Sequence, residues 1–226
     1  MKIIFSLGGS VVAPDNIDKK FLTLVSSFMA DLSTCNQLGI VVGGGAPARR
    51  RIAEVRKNGA SEAECDYEGI LATRDNATAV IKSLGGKASL KIPASVHEAA
   101  KLFGRKILVM GGTEPGHSTD AVAALLAEWV KADLLINASN VDAVYDKDPK
   151  KFKDAKSLRS INIDDLIKLL EGQSVAAGHY PLLDPSSLKL IKRSRLKTIV
   201  LNGRDLSNMR NALDGREYKG TVITFD

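Results

Sequence analysis

The chain has 226 residues and a net charge of +6, and its content of 44% hydrophobic and 26% charged residues is ordinary for a soluble globular protein. A chain of this length buries roughly 70% or more of its unfolded surface, so it needs neither disulfides nor metals to fold, and Cys35 and Cys65 offer no disulfide framework and no zinc spacing. Apolar stretches such as 121–126 are too short for a bilayer, Met1-Lys2-Ile3-Ile4-Phe5 reads as strand and not as signal peptide, and basic residues are dispersed apart from the run 189–197, so membrane and nucleic-acid partners are not expected and a reducing cytoplasm is.

Buried strand Lys2–Leu7 opens the chain. Phe21, Leu24, Val25, Phe28, Met29 and Leu32 recur at i, i+3, i+4 spacing, which predicts a helix over 17–32. A short strand over 39–42 runs into Gly43-Gly44-Gly45, and helices over 46–57 and 66–84 follow. A weak strand is predicted at 88–92, then a helix to Phe103 capped by Ser95 with Glu98 at the capping-box position. Next come a strand at 106–110, an Ala/Leu helix at 120–130 and a buried strand at 132–138. The chain reads as a single domain over 1–226, in which the charged, loop-rich segment 141–160 divides two lobes, roughly 1–138 and 139–226. Helices at 164–170 and 185–194, the latter with Pro185 in its first turn, precede strands at 197–201 and 221–225. Short apolar strands alternating with helices predict a three-layer α/β/α fold on a mainly parallel sheet, with ligands beyond the carboxyl ends of the strands.

Three of those strand ends carry glycines: Gly8-Gly9-Ser10, Gly43-Gly44-Gly45 and the stretch from Gly111-Gly112 to Asp120. Glycine lets backbone N–H groups converge on an anion, and a helix N-terminus behind the loop adds a positive dipole end. A single glycine pair after a strand is more often a plain tight turn. Three on one sheet edge point to a ligand with several phosphates. None fits the P-loop or the dinucleotide fingerprint. After the fourth strand, Asn140, Asp142, Tyr145 and the Asp148-Pro149 turn offer a carboxylate for ribose hydroxyls and a ring for a base.

On these residues the chain resembles the amino-acid-kinase superfamily. Gly8-Gly9-Ser10 and Gly43–45 are similar to its two glycine loops, Asn140 to Tyr145 with Asp148-Pro149 to its nucleotide-binding segment, and 111–128 to the archaeal uridylate kinases in particular. The resemblance implies ATP and UMP as substrates, with Mg²⁺ accompanying ATP. It implies ATP-phosphate contacts from Gly9, Ser10, Gly45 and Arg49, and adenosine contacts from Asn140, Tyr145 and Asp148. Gly44, Asp66, Glu114, Pro115, Gly116, His117, Ser118, Thr119 and Asp120 would hold UMP, with Asp66 on the ribose and Thr119 near the base. Lys189 would neutralise the transferring phosphoryl group, and Asp142 would be the organising carboxylate. A hexamer built from dimers is implied too, with the 17–32 helix as a contact element.

One departure stands out: many superfamily members carry a lysine two positions before the first glycine, where this chain has Ser6. A hydroxyl cannot neutralise charge, so that duty falls on Lys189, Arg49, backbone N–H groups and Mg²⁺. Spacing alone makes Lys189 part of a solvated basic face with Lys192, Arg193, Arg195 and Lys197. His97 and His179 read as surface or structural residues, and His117 lies inside the ligand loop. Rival readings are another kinase of the superfamily, acting on isopentenyl phosphate, carbamate or an amino acid, and a non-catalytic nucleotide-binding protein. The isopentenyl phosphate kinases place a histidine soon after the second glycine loop, whereas Ala46-Pro47-Ala48-Arg49 follows here.

Overall fold

The computed structural model describes residues 1–149, 151–174 and 182–226. In chain order the elements are β1 (Lys2–Leu7), α1 (Gly9–Val12), α2 (Lys19–Leu32), β2 (Gln37–Val42), α3 (Gly45–Lys57), α4 (Glu62–Leu84), α5 (Val96–Leu102), β3 (Leu108–Met110), α6 (Thr119–Val130) and β4 (Leu134–Ser139). The second half adds β5 (Val144–Tyr145), β6 (Ser157–Leu158), β7 (Ser160–Asn162), α7 (Ile163–Ser174), α8 (Pro185–Ser194), β8 (Thr198–Asn202), α9 (Leu206–Leu213) and β9 (Thr221–Thr224).

Seven strands form one sheet in the order β3-β2-β1-β4-β8-β9-β7. The first five run parallel, and β9 is antiparallel to β8. That reversal brings the start of β9 to the edge where β1, β2, β4 and β8 end. Alternation along β1 splits the core into two. Ile3, Phe5 and Leu7 pack with α2, α4 and α9 on one face, while Ile4 packs with α5, α6 and α8 on the other. Each fully buried side chain of this size contributes about 1.5–3 kcal/mol, so strands covered on both faces read as continuous apolar runs. The three-layer α/β/α expectation is met.

Several local expectations are corrected. Residues 88–92 form no strand: Ala88 makes one isolated bridge to Ile107, and Leu90 stands 82% exposed. The helix expected from residue 66 begins four residues earlier. Ser61 and Glu64 close a capping box, Ser61 Oγ accepting from Glu64 N at 3.3 Å and Glu64 Oε2 from Ser61 N at 2.8 Å. In α5 the Ser95 half of the box forms, but Glu98 turns to Ala94 N and Lys91. The segment 141–160 carries the β5/β6 hairpin and the start of β7. Helices α1 and α9 were not foreseen.

Candidate active site

The first two glycine loops interlock. Helix α1 follows β1 directly and α3 follows β2, so Gly9 and Gly45 face each other where those strands end. A Cβ on Gly9 would lie 2.0 Å from Gly45 N, and Gly45 has φ +62°, so neither position takes a side chain without moving backbone. Asn76, buried on α4, fixes the second loop by donating to the carbonyls of Gly43 and Gly44 at 2.8 and 3.0 Å. Among the described residues no protein acceptor takes the amides of Gly9, Ser10, Gly44 or Gly45. Four donors are thus left at a junction of two helix N-termini, the geometry that suits an anion. The third glycine pair is different. Gly112 N–H is spent on Thr73 Oγ1 at 2.7 Å, and its carbonyl accepts from Arg74. That pair packs a loop on α4 and offers no free amide at Gly112.

Beside the junction lies a groove of about 500 Å³ between α3, α4 and the loop that ends β3. It is lined by Gly44, Gly45, Arg49, Asp66, Glu114, Gly116, His117, Ser118 and Thr119, with Ala48, Ile52, Gly69, Ile70, Thr73 and Gly112. Most residues expected around the acceptor are therefore brought together, and Gly45 and Arg49, expected on the ATP side, border the same space. Of the three consecutive arginines, Arg50 pairs with Asp15 and Arg51 with Asp75, and Arg49 is left exposed at the groove with no ion pair among the described residues. Asp66 Oδ2 accepts from Gly116 N at 2.8 Å, tying α4 to the loop where Gly116 turns with φ +81°. Pro115 is exposed and is not among the groove-lining residues. Ser118 caps α6 through Ala121 N and donates to Asp184, which itself caps α8 through Ser186 N and Ser187 N.

Asp120 turns inward instead of lining the groove. Ser6 Oγ donates to its Oδ1 at 2.5 Å and Asn137 Nδ2 at 2.8 Å. Burial pushes its carboxyl up to about 6; the Ser6 hydrogen bond opposes this and the charge of Asp184 adds to it. Asn137 Oδ1 is buried with no hydrogen-bond partner among the described residues. Ser6 therefore serves a carboxylate, at the position where the resemblance leads to the expectation of a lysine.

The nucleotide segment leaves the end of β4. Asn140 is exposed, and Tyr145 and Asp148 are half-buried on the hairpin. Asp142 accepts from Asn202 Nδ2 at 2.9 Å and pairs with Lys219 at 2.6 Å; the Lys219 ammonium, aided by Asn202, holds its carboxyl below the ordinary range. Lys219 and Asn202 were missed because they lie some 60–80 residues away in sequence, and only the reversed β9 brings Lys219 to this edge. Lys189 is exposed on α8, whose buried face is Ser187, Leu188 and Ile191. Lys192, three residues on, pairs with Asp164. His97 packs edge-on against Trp129 at 5.4 Å, in keeping with a surface or structural role. His179 lies outside the described residues.

Residues 1–202 match the amino acid kinase family. A uridylate kinase of Methanobrevibacter smithii is 44% identical over 225 residues, spanning 99% of this chain and all of that one. Another, of Methanothermobacter thermautotrophicus, is 43% identical over 224 residues, spanning 99% of each. The crystal structure of uridylate kinase from Archaeoglobus fulgidus superposes with a TM-score of 0.86 at 40% identity, covering 99% of this chain and 100% of that chain. That of UMP kinase from Ureaplasma parvum, at 20% identity, a TM-score of 0.79 and 99% and 98% coverage, shares the fold. The chain belongs to the amino acid kinase family.

Proposed function

We propose that this protein is a UMP kinase, transferring the γ-phosphoryl group of ATP to UMP and releasing UDP and ADP. The observation that carries the reading is similarity along the whole chain to proteins named uridylate kinase. The groove supports it: an acceptor held by Asp66 and the 114–119 loop meets the free amides of Gly9, Ser10, Gly44 and Gly45. In this reading residues 1–138 form the acceptor lobe and 139–226 the ATP lobe, with Asn140, Tyr145 and Asp148 at the adenosine. UMP already carries an ionised phosphate as nucleophile, so no general base is required. The protein's task is to align two polyanions and to neutralise charge as it builds on the transferring group. Arg49, Lys189 and the loop amides are assigned that task, and Asp142 holds the nucleotide segment in place through Asn202 and Lys219.

Mg²⁺ would arrive with ATP and neutralise the phosphates. This ion takes one or two carboxylates and completes its shell with phosphates and water. Asp120 and Asp184, joined through the α6 and α8 caps at Ser118, are carboxylates of that kind, and Asn137 Oδ1, without a partner among the described residues, is an amide oxygen beside Asp120. A cytoplasmic hexamer is part of the reading; among the described residues no helix is long and apolar enough to cross a membrane, and Leu24 on α2 is a 62% exposed apolar side chain suited to a subunit contact. A coupled assay of ADP release tests the whole. ADP release from ATP should require UMP. ATP binding with no UMP-dependent ADP release would leave only a nucleotide-binding protein.

A further inference from the structure

The carbonyls at the end of α1 are each engaged by a different part of the chain. Helix α1 has only four residues, so its last C=O groups have no partner within the helix. Val12 O accepts from Asp18 N, and Ala13 O accepts from Ala46 N in the first turn of α3. Val11 O accepts from Arg204 Nη2 at 2.8 Å, across 193 residues of sequence. Arg204 Nη1 reaches Asp18 Oδ2 at 3.0 Å, and its guanidinium lies 4.9 Å from the centre of the Phe21 ring. The backbone of Arg204 is itself fixed, its N–H donating to Asn202 Oδ1 at 3.0 Å while Asn202 Nδ2 donates to Asp142. One polar chain therefore runs along the sheet edge from Lys219 through Asp142, Asn202 and Arg204 to the first glycine loop.

We infer that Arg204 is a positioning residue for phosphoryl transfer, setting the Gly9 and Ser10 amides against the nucleotide segment through the Val11 carbonyl. The inference rests on the kinase reading above. The planar fork suits the role, because two nitrogens of one rigid group hold Asp18 and Val11 O together. A lysine head has a single nitrogen and cannot reproduce both contacts in that geometry. The same face provides an internal control. Arg210 also pairs with an aspartate of α2, Asp31, and also lies 4.9 Å from a ring centre, that of Phe28, but has no bond to α1. If these arginines merely staple α2 to the C-terminal half, the two are equivalent.

The test compares Arg204→Ala, Arg204→Lys and Arg210→Ala in the full-length protein, measuring steady-state kinetics, UMP affinity by calorimetry and thermal melts. Displacing the loop amides by a fraction of an ångström should lower kcat about tenfold or more in Arg204→Ala. UMP affinity should stay within about threefold, since a loss confined to kcat marks an interaction realised in the transition state. Arg204→Lys should fall between wild type and alanine. Arg210→Ala should keep kcat within about twofold of wild type, as removal of an exposed ion pair costs little. Equal, small effects of the Arg204 and Arg210 alanine variants overturn the inference. Should Arg204→Ala fail to fold, Arg204→Lys decides, and wild-type kcat in that variant overturns the inference. A wild-type protein with no UMP-dependent turnover would instead remove the kinase reading on which the inference stands.

Discussion

Asp66 gives the sharpest test of how the groove holds its acceptor. One carboxylate oxygen anchors the 114–119 loop through Gly116 N at 2.8 Å, and the other has no hydrogen-bond partner among the described residues. In the proposed reading the second oxygen accepts from a ribose hydroxyl. Substitution Asp66→Ala then removes a hydrogen bond to a charged group, worth about 1.5–3 kcal/mol. At about 1.4 kcal/mol per tenfold, the KM for UMP rises roughly 10- to 150-fold. The loop anchor is lost as well, which moves the result toward the upper end. The KM for ATP should change by less than about threefold, because Asp66 borders the acceptor groove and not the nucleotide segment. Asp66→Asn keeps one acceptor oxygen and should show a smaller rise. Initial rates against UMP at saturating ATP, and the reverse, give both constants. A folded Asp66→Ala variant with unchanged KM for UMP, or with both constants raised alike, refutes the assignment.

Three further outcomes are expected. Lys189→Ala should lower kcat by about 100-fold or more, ~2.7 kcal/mol of transition-state stabilisation, while Lys192→Ala, which breaks only an exposed pair with Asp164, should be nearly neutral; equal, small losses would shift the charge balance to Arg49 and the loop amides. Asn76→Leu strands the carbonyls of Gly43 and Gly44 and should lower the free energy of unfolding by about 1–3 kcal/mol in urea titrations; wild-type stability and activity would show that the second glycine loop holds itself. Burial raises the Asp120 carboxyl to about 6 against an ordinary 3.8, so the folded protein favours its neutral form and this group's contribution to stability is lost as pH rises from about 4 to about 6. Asp120→Asn lacks that loss, so relative to the variant, wild type should weaken by up to about 3 kcal/mol between pH 4 and pH 7, and urea midpoints that run in parallel across that range would contradict the burial argument.

The sheet was legible because its strands are buried on both faces and read as unbroken apolar runs between amphipathic helices. That residues 114 and 116–119 gather at one groove was legible because they lie together in a single loop. What escaped was long-range pairing. Nothing local marks Asn76 as the clamp of the second glycine loop, or Thr73 as the acceptor that spends the Gly112 amide. Asp120 sits within the ligand-loop motif, and only the register of Ser6 beside Asn137 in neighbouring strands explains why it points inward. The Ser61/Glu64 capping box was present in the sequence, and its late placement put Asp66 at a helix start, although it lies one turn into α4. Helix α9 is short, with Asp205 as its cap and only Met209 and Ala212 buried, which gives too few apolar repeats to set a period.

The central claim, transfer from ATP to UMP in particular, is tested most directly by competition in one vessel. UMP, CMP, AMP and GMP at equal concentration are incubated with protein, ATP and Mg²⁺, and the diphosphates formed at early times are separated and quantified. A site whose polar groups match one base edge rejects the others because those groups would be left unpaired. The account predicts UDP as the dominant product by at least about a hundredfold over CDP and GDP, with ADP in excess of UDP only by the small CDP and GDP formed and by two for each AMP turned over. Comparable CDP and UDP, or consumption of ATP without UDP, would contradict it.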